Sequence, residues 1–167
     1  MDTKQKMQIA IKVAKEALNK GELPISAVIF HGNEIISSCH TSEKEDKRFL
    51  IHAELKALLD ADRKQYPIKI RKEMQLFTNL EPCMMCLGAA MTFFIGEIYY
   101  ALEAPMDGAV EFAKQLWKKE CKEIPSYQLP KITSGILRVE SQELFKEYIR
   151  VNKPGPLYDF AKSLALL

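Results

Sequence analysis

The first forty residues combine a helical pattern with a hairpin, and this combination constrains the fold more than any other feature of the sequence. Apolar residues recur at helical spacing over residues 7–18, and Gly21 is positioned to end that helix. The β-branched run 24–30 predicts a buried strand, and the turn signal His31-Gly32-Asn33 separates it from a returning strand over residues 34–39. The chain therefore begins as a helix followed by an antiparallel strand pair.

Beyond the hairpin, strands and helices alternate. The predicted segments are a polar loop over 41–48, a helix from Ile51 to Leu59, a strand over 74–78, a helix from Pro82, a strand over 97–102, a helix over 110–119 and a loop over 124–130. A helix, a hairpin and then alternating strands and helices predict an α/β fold, arranged as a sandwich around one mixed sheet.

The C-terminal part carries its own signals. Ser141 can cap a further helix, Pro154-Gly155-Pro156 ends it, and a last short helix follows. No linker rich in Gly and Ser divides the chain. We therefore predict a single domain over residues 1–167, with residues 153–167 as a C-terminal helical appendage.

Composition excludes several classes of protein. The 167 residues are 47% hydrophobic and 28% charged, which is enough to bury a core. The longest nearly apolar run, Leu87 to Ile95, is far shorter than the ~18 residues of a membrane span, and residues 1–6 lack the pattern of a secretory signal. A net charge of +2 is too weak to indicate nucleic-acid binding by itself. Four unevenly spaced cysteines do not form a disulfide framework, so we expect a cytoplasmic protein without a membrane partner.

Three metal-type residues stand out: His52, Cys83 and Cys86. The two cysteines are three residues apart, so on a helix they share one face and can bind one ion. Pro82 suits the first helical position, which would place both cysteines in the first turn, where free backbone N–H groups favour thiolates. One imidazole and two thiolates match zinc with a fourth position open to water.

A structural zinc site would need a fourth protein ligand. The candidates are Cys39, Cys121, His31 and His40, and none of them has the spacing of paired ligands. We therefore predict an open, catalytic site. Glu54 lies two residues after His52, so it cannot easily bind the same ion from the same helical face. Its carboxylate can instead take a proton from the activated water and later deliver that proton to a departing amine.

The triplet His52-Ala53-Glu54 and the segment 80–90, Leu-Glu-Pro-Cys-Met-Met-Cys-Leu-Gly-Ala-Ala, resemble the zinc signature of the cytidine deaminase-like superfamily. The sequence is most similar to the branch that holds tRNA adenosine deaminases and bacterial guanine and cytosine deaminases, over roughly residues 5–150. This resemblance implies a five-stranded sheet between helices, zinc held by His52, Cys83 and Cys86, proton transfer by Glu54, and a homodimer.

Five residues are expected to contact the substrate: Ala27, Thr41, Ala53, Glu81 and Asp107. The resemblance implies that the backbone N–H of Ala53 meets a ring carbonyl or ring nitrogen. Thr41, or alternatively His40, falls where relatives commonly carry Asn. A hydroxyl cannot reproduce the paired contacts of an amide. The usual substrates of the family therefore do not transfer directly to this chain.

Other polar and aromatic residues are interpreted as structural. The charged segment 43–48 is read as a solvated connection. Tyr148, Tyr158 and Phe160 could close over a small substrate, but their helical spacing favours positions in the core or an interface. The basic residues are interleaved with acidic ones, as is typical of ordinary surface. The two clusters are Arg63, Lys64, Lys69, Arg71 and Lys72 with Asp60, Asp62 and Glu73, and Lys118, Lys119 and Lys122 with Glu120 and Glu123.

We therefore predict a zinc-dependent hydrolase that removes an exocyclic amine from a free nucleobase, a nucleoside or a related aminated heterocycle. Deamination of adenosine to inosine in tRNA is the alternative within the family, with tRNA as the less favoured partner. A non-catalytic, zinc-stabilised binding module is the alternative from another class.

Overall fold

Five strands and eight helices make up the part of the chain that the computed structural model describes, residues 1–116 and 128–167. The strands are β1 (Ser26–His31), β2 (Glu34–His40), β3 (Met74–Leu80), β4 (Glu97–Leu102) and β5 (Lys131–Thr133). The helices are α1 (Thr3–Asn19), α2 (Glu43–Asp46), α3 (Ala53–Asp62), α4 (Ile68–Arg71), α5 (Met84–Phe93), α6 (Val110–Leu116), α7 (Arg138–Val151) and α8 (Pro156–Ala165). Within these residues, every helix is too short or too polar to cross a membrane.

The strands form one mixed sheet in the order β2-β1-β3-β4-β5, which confirms the predicted architecture. β1 runs antiparallel to both β2 and β3, whereas β3, β4 and β5 are parallel. The register pairs Ala27 with both Cys39 and Thr78, and Leu80 with Leu102. The start of β1 and the carboxyl ends of β2, β3 and β4 therefore meet at one edge. Open α/β sheets bind ligands at such an edge.

Helices cover both faces of the sheet, which gives the predicted three layers. Side chains alternate along β1, so Val28 and Phe30 pack with Met7 of α1 on one face. Ala27 and Ile29 belong to the larger apolar cluster, which includes buried residues of α3 and α5. α7 lies beside α1 and contacts β4. The site described below is therefore built on α3 and α5 and on the loops that leave the sheet edge.

Two local predictions are wrong. The stretch 41–48, predicted as a loop, contains the single helical turn α2. Ser141, predicted as a helix cap, is wholly buried inside α7, which begins at Arg138. Its hydroxyl donates to the carbonyl oxygen of Asn79 at 2.6 Å, because the helix starts one turn earlier and turns this position toward β3.

The last predicted helix is present as α8, and Ala161, Leu164 and Ala165 are buried in the larger cluster. The division into one domain and an appendage over residues 153–167 stays a prediction. The end of the helix predicted over 110–119, the start of the loop over 124–130 and the basic cluster at 118–122 lie outside the described residues.

Candidate metal centre and cavity

His52, Cys83 and Cys86 converge at the sheet edge, as predicted. The Nδ1 atom of His52 lies 3.6 Å from the sulfur of Cys83 and 3.6 Å from that of Cys86, and the three ligand atoms are all within 4.8 Å of one another. His52 is the residue before α3, and Cys86 lies in the first turn of α5. Two helix starts, one after β2 and one after β3, therefore bring the three side chains together.

The helix that carries the cysteines begins later than expected. α5 starts at Met84, so Cys83 is the capping residue with extended backbone, and Pro82 is not at the first helical position. Cys83 is held outside the helix because it forms a β-bridge with Gly108. The sulfur atoms of Cys83 and Cys86 nevertheless both lie near the imidazole of His52, so the two cysteines can bind one ion as predicted.

The donor set fits zinc. With Zn–S bonds of about 2.3 Å, Zn–N bonds of about 2.0–2.1 Å and a tetrahedral angle, nitrogen and sulfur lie about 3.6 Å apart, which is the observed separation. Among residues 1–116 and 128–167, no fourth His, Cys, Asp or Glu joins the group. His31 pairs with Glu73 and His40 lies beside Lys20 instead, while Cys121 is outside the described residues. An open fourth position is the arrangement of catalytic zinc.

Mutual hydrogen bonds shift the pKa values of His52, Cys83 and Cys86 in different directions. A hydrogen bond from the Cys86 thiol lowers the pKa of Cys83 to about 4, and His52 stabilises the same thiolate. The pKa of Cys86 is raised, mainly because its thiol donates this hydrogen bond to Cys83 and also because the thiol is buried. The hydrogen bond to Cys83 raises the pKa of His52 to about 9. A cation that binds here must displace protons, so its affinity falls as pH is lowered.

Glu54 lies in the first turn of α3 and is only 4% exposed. Oγ1 of Thr78 lies 3.2 Å from Oε1 of Glu54 and 3.1 Å from the carbonyl oxygen of Leu80, so its one proton is shared between these two acceptors and helps to hold the carboxylate. Burial is the main cause that raises the pKa of Glu54 to about 7. A carboxyl group that gains and loses a proton near neutral pH is suited to general acid–base catalysis.

A cavity of about 250 Å³ opens beside the metal ligands. It is lined by Leu23, Ile25, Thr41, Glu43, Phe49, His52, Glu54, Leu80, Glu81, Cys83, Asp107, Leu157 and Phe160. Three of the five predicted substrate-contacting residues are therefore in its wall. Ala27 and Ala53 are wholly buried and do not line it, since Ala27 packs between β2 and β3 and Ala53 begins α3. The substrate contacts of all five stay predictions.

Two of the lining residues have their polar atoms engaged by the protein. The two carboxylate oxygens of Glu81 accept hydrogen bonds from the backbone N–H groups of Ala104 and Val110, each at 3.0 Å. The hydroxyl of Thr41 donates to the carbonyl oxygen of Leu23 at 2.5 Å. Glu81 therefore holds the loop that carries Asp107, and Thr41 offers the cavity only the acceptor side of its oxygen.

Sequence reasoning missed residues of two segments. Glu43, read as part of a solvated connection, places Oε1 3.6 Å from Nε2 of His52. Phe160, for which the sequence favoured a core or interface position over a position at the substrate, lines the cavity together with Leu157 of the same helix. No local pattern marks these residues, because both segments reach the site only through tertiary packing. The exposed Phe49, from the segment before His52, also lines the cavity.

Comparison with known proteins agrees with this geometry. A family model described as the cytidine and deoxycytidylate deaminase zinc-binding region matches residues 1–102. The chain is 30% identical over 146 residues to a tRNA-specific adenosine deaminase of Rickettsia typhi, covering 86% of this chain and 95% of the relative.

Solved structures show the same fold. A tRNA:A34 deaminase that edits adenosine to inosine at the wobble position of transfer RNA superposes with a TM-score of 0.69 at 27% identity, covering 83% of this chain and 96% of that one. A guanine deaminase from Nitrosomonas europaea superposes with a TM-score of 0.68 at 18% identity, covering 88% and 84%. At that identity the second likeness supports the fold alone.

Proposed function

Because this chain belongs to the cytidine and deoxycytidylate deaminase zinc-binding family and is a hydrolytic deaminase, we propose that it acts on a free nucleobase, a nucleoside or a related aminated heterocycle. The observation that carries this proposal is the charge of the cavity wall. Four carboxylates line it, from Glu43, Glu54, Glu81 and Asp107, and none of the described lining residues is Lys or Arg. Such a wall repels phosphate groups and suits a ring with several N–H donors.

The shape of the cavity supports the same substrate class. α8 closes one side with Leu157 and Phe160, and Leu23, Ile25 and Leu80 add apolar surface. A volume of about 250 Å³ accommodates a small heterocycle, and apolar walls with a few placed polar groups are typical of small-molecule sites. The described basic residues of α3 and α4 are outside this wall, and Arg71 among them is paired with Asp62 at 2.6 Å.

The reaction follows from the positions of the described side chains. A zinc ion held by His52, Cys83 and Cys86 supplies the Lewis acidity that makes water nucleophilic near neutral pH. Glu54 takes a proton from the attacking water and passes it to the adjacent ring nitrogen while the water oxygen bonds to the ring carbon that carries the amine. Glu54 then transfers the second proton of that oxygen to the amine nitrogen, the C–N bond breaks, and ammonia leaves a ring carbonyl beside a protonated ring nitrogen. Thr78 helps to hold the Glu54 carboxylate in place through these transfers.

Deamination of adenosine in tRNA is the second candidate, and the names of the relatives favour it. The two functions differ in salt dependence, because binding of a polyanion weakens steeply as salt rises whereas binding of a neutral ring does not. We would measure ammonia release from adenine, guanine, cytosine, isocytosine and their nucleosides, and inosine formation in tRNA, at two salt concentrations. Glu54→Gln is the inactive control. Turnover of tRNA with no release of ammonia from any small substrate would refute the proposal.

We further propose that the chain forms a homodimer through the groove between α3 and α5. Leu55, Leu58, Leu59 and Phe93 line this groove, and the side chain of Leu59 is more than half exposed. Exposed apolar side chains grouped in one groove mark association surfaces. Light scattering of the wild type and of Leu59→Glu tests this proposal. A wild-type mass of one chain would refute it.

A further inference from the structure

A second carboxylate faces the metal ligand His52 from outside the ligand set. Nδ1 of His52 points toward the two sulfurs, so its other ring nitrogen, Nε2, points away from them. Oε1 of Glu43 lies 3.6 Å from that Nε2. The side chain of Glu43 is only 15% exposed, so this carboxylate acts on the imidazole with little screening by water.

Glu43 is carried by α2, which cannot hold itself in place. The helix is one turn long and has no buried residues. A segment of that length is not stable alone, because one turn of hydrogen bonds does not offset the lost backbone entropy. The position of Glu43 must therefore be fixed by contacts from the rest of the protein.

Glu22 supplies these contacts. Its side chain is 2% exposed. Its two carboxylate oxygens accept the backbone N–H groups of Lys44 at 3.1 Å and of Glu45 at 2.7 Å. Hydrogen bonds to a charged acceptor are about twice as strong as neutral ones. Lys44 adds to the same attachment, since its Nζ donates to the carbonyl oxygen of Gly21 at 2.5 Å and lies over the ring of Tyr148.

We propose that Glu22 and Glu43 are positioning residues for the metal centre: Glu22 fixes α2, and α2 holds the carboxylate of Glu43 against the imidazole of His52. The proposal rests on the zinc centre of the proposed function. A carboxylate beside the free N–H of a ligating histidine orients the ring and raises its basicity, and loss of such a partner weakens metal binding by about 10–100-fold. Glu22 touches neither ligand nor substrate and acts only through Glu43.

The test measures the affinity of the full chain for zinc by competition with a chromogenic chelator. We expect Glu43→Gln to weaken zinc binding by about 10–100-fold. Glu22→Gln is expected to weaken it by a similar or smaller factor, because the amide of Gln can accept only one of the two N–H groups. Glu45→Gln is the matched control, since Glu45 lies on the same helix and its side chain is exposed, and its affinity should equal that of the wild type.

A double-variant cycle separates the two residues. If Glu22 acts through Glu43, the variant with both substitutions should bind zinc no more weakly than Glu43→Gln alone. Additive losses would refute the role of Glu22, and wild-type affinity in Glu43→Gln would refute the whole proposal. The visible spectrum of the cobalt-loaded variants should change for Glu43→Gln and not for Glu45→Gln.

The outcomes also distinguish this proposal from the proposed function. A wild-type chain that binds no zinc would refute both. Tight zinc binding with the predicted losses, but without release of ammonia from any small substrate, would refute only the substrate class. Because the side chain of Glu43 makes no hydrogen bond among the described residues and Glu43→Gln leaves its backbone hydrogen bonds in place, the Glu43→Gln measurement decides the proposal even if Glu22→Gln alters stability.

Discussion

Replacing Gly108 by alanine tests how tightly the loop after β4 is fitted to the metal centre. A Cβ atom at this position would lie 2.5 Å from both Cδ and Oε2 of Glu81, and 2.6 Å from the carbonyl oxygen of Ala104. The carbonyl oxygen of Ala104 is a backbone atom, and it already accepts the N–H of Gly108 at 2.7 Å. Rotation of one side chain cannot relieve both contacts, so the loop and the Glu81 carboxylate must separate.

The size of the effect follows from what this separation breaks. Overpacking a fitted site costs about 1–3 kcal/mol, and the loss of one of the two hydrogen bonds to the Glu81 carboxylate costs about 1.5–3 kcal/mol. Since the two effects overlap, we expect the free energy of unfolding of Gly108→Ala to fall by about 3 kcal/mol, and Tm by about 6–12 °C for a chain of this length. Activity should fall as well, because Asp107 and the bridge to Cys83 shift together.

Urea and thermal unfolding, followed by circular dichroism in excess chelator, measure this change without a contribution from bound zinc. Gly88→Ala is the matched control. Gly88 lies inside α5, and a Cβ atom there meets nothing within 4 Å. Its replacement should raise the free energy of unfolding by about 0.5–1 kcal/mol. If Gly108→Ala unfolds at the same urea concentration as the wild type, the close approach of Gly108 and Glu81 does not hold this loop.

Three further predictions concern the metal centre and its surroundings. Glu54→Gln should keep its zinc, measured by atomic absorption, while kcat falls by ~10²-fold or more, since only the proton-transferring oxygen is lost. Cys83→Ala should lose zinc, and its Tm should no longer rise when zinc is added, because metal binding and folding are coupled. The hydrogen bonds from Arg138 lower the pKa of Glu103, so this pair stabilises the fold above the ordinary pKa of the carboxyl and stops doing so as pH falls through the lowered value. The difference in unfolding free energy between wild type and Glu103→Gln is about 0.5 kcal/mol at neutral pH for a partly exposed pair. It should shrink as the pH is lowered past the ordinary pKa of a glutamic acid side chain.

The features that were predictable from the sequence are those encoded within a few residues. A continuous β-branched and apolar run marks β1, and the turn at 31–33 sets its pairing with β2. The spacing of Cys83 and Cys86 is itself a metal-ligand pattern, and His52 could be joined to it because few histidines compete. Even here the boundary was wrong by two residues, since the β-bridge between Cys83 and Gly108 delays the start of α5.

The features that could not be predicted depend on contacts between distant segments. Glu43 is one of several charged residues in a polar stretch. The buried carboxylate of Glu22, 21 positions earlier, helps to hold its helix where Glu43 faces His52. Serine is a residue type that commonly caps helices. Ser141 nevertheless lies inside α7 opposite Asn79, where its buried hydroxyl donates a hydrogen bond to a backbone carbonyl. Local propensity predicts a solvated or capping role in both cases, and tertiary packing overrides it.

We expect reaction type and substrate preference to depend on different parts of this chain. The three zinc ligands and Glu54 all lie within residues 1–102, the region matched by the family model. Three of the residues that line the cavity, Asp107, Leu157 and Phe160, lie beyond it. Substitutions in the first group should therefore abolish turnover of every substrate alike. Substitutions in the second should change the ratio of kcat/KM between substrates, because they alter the contacts that distinguish one ring from another. A Phe160→Ala variant that lowered turnover of all tested rings by the same factor would contradict this division.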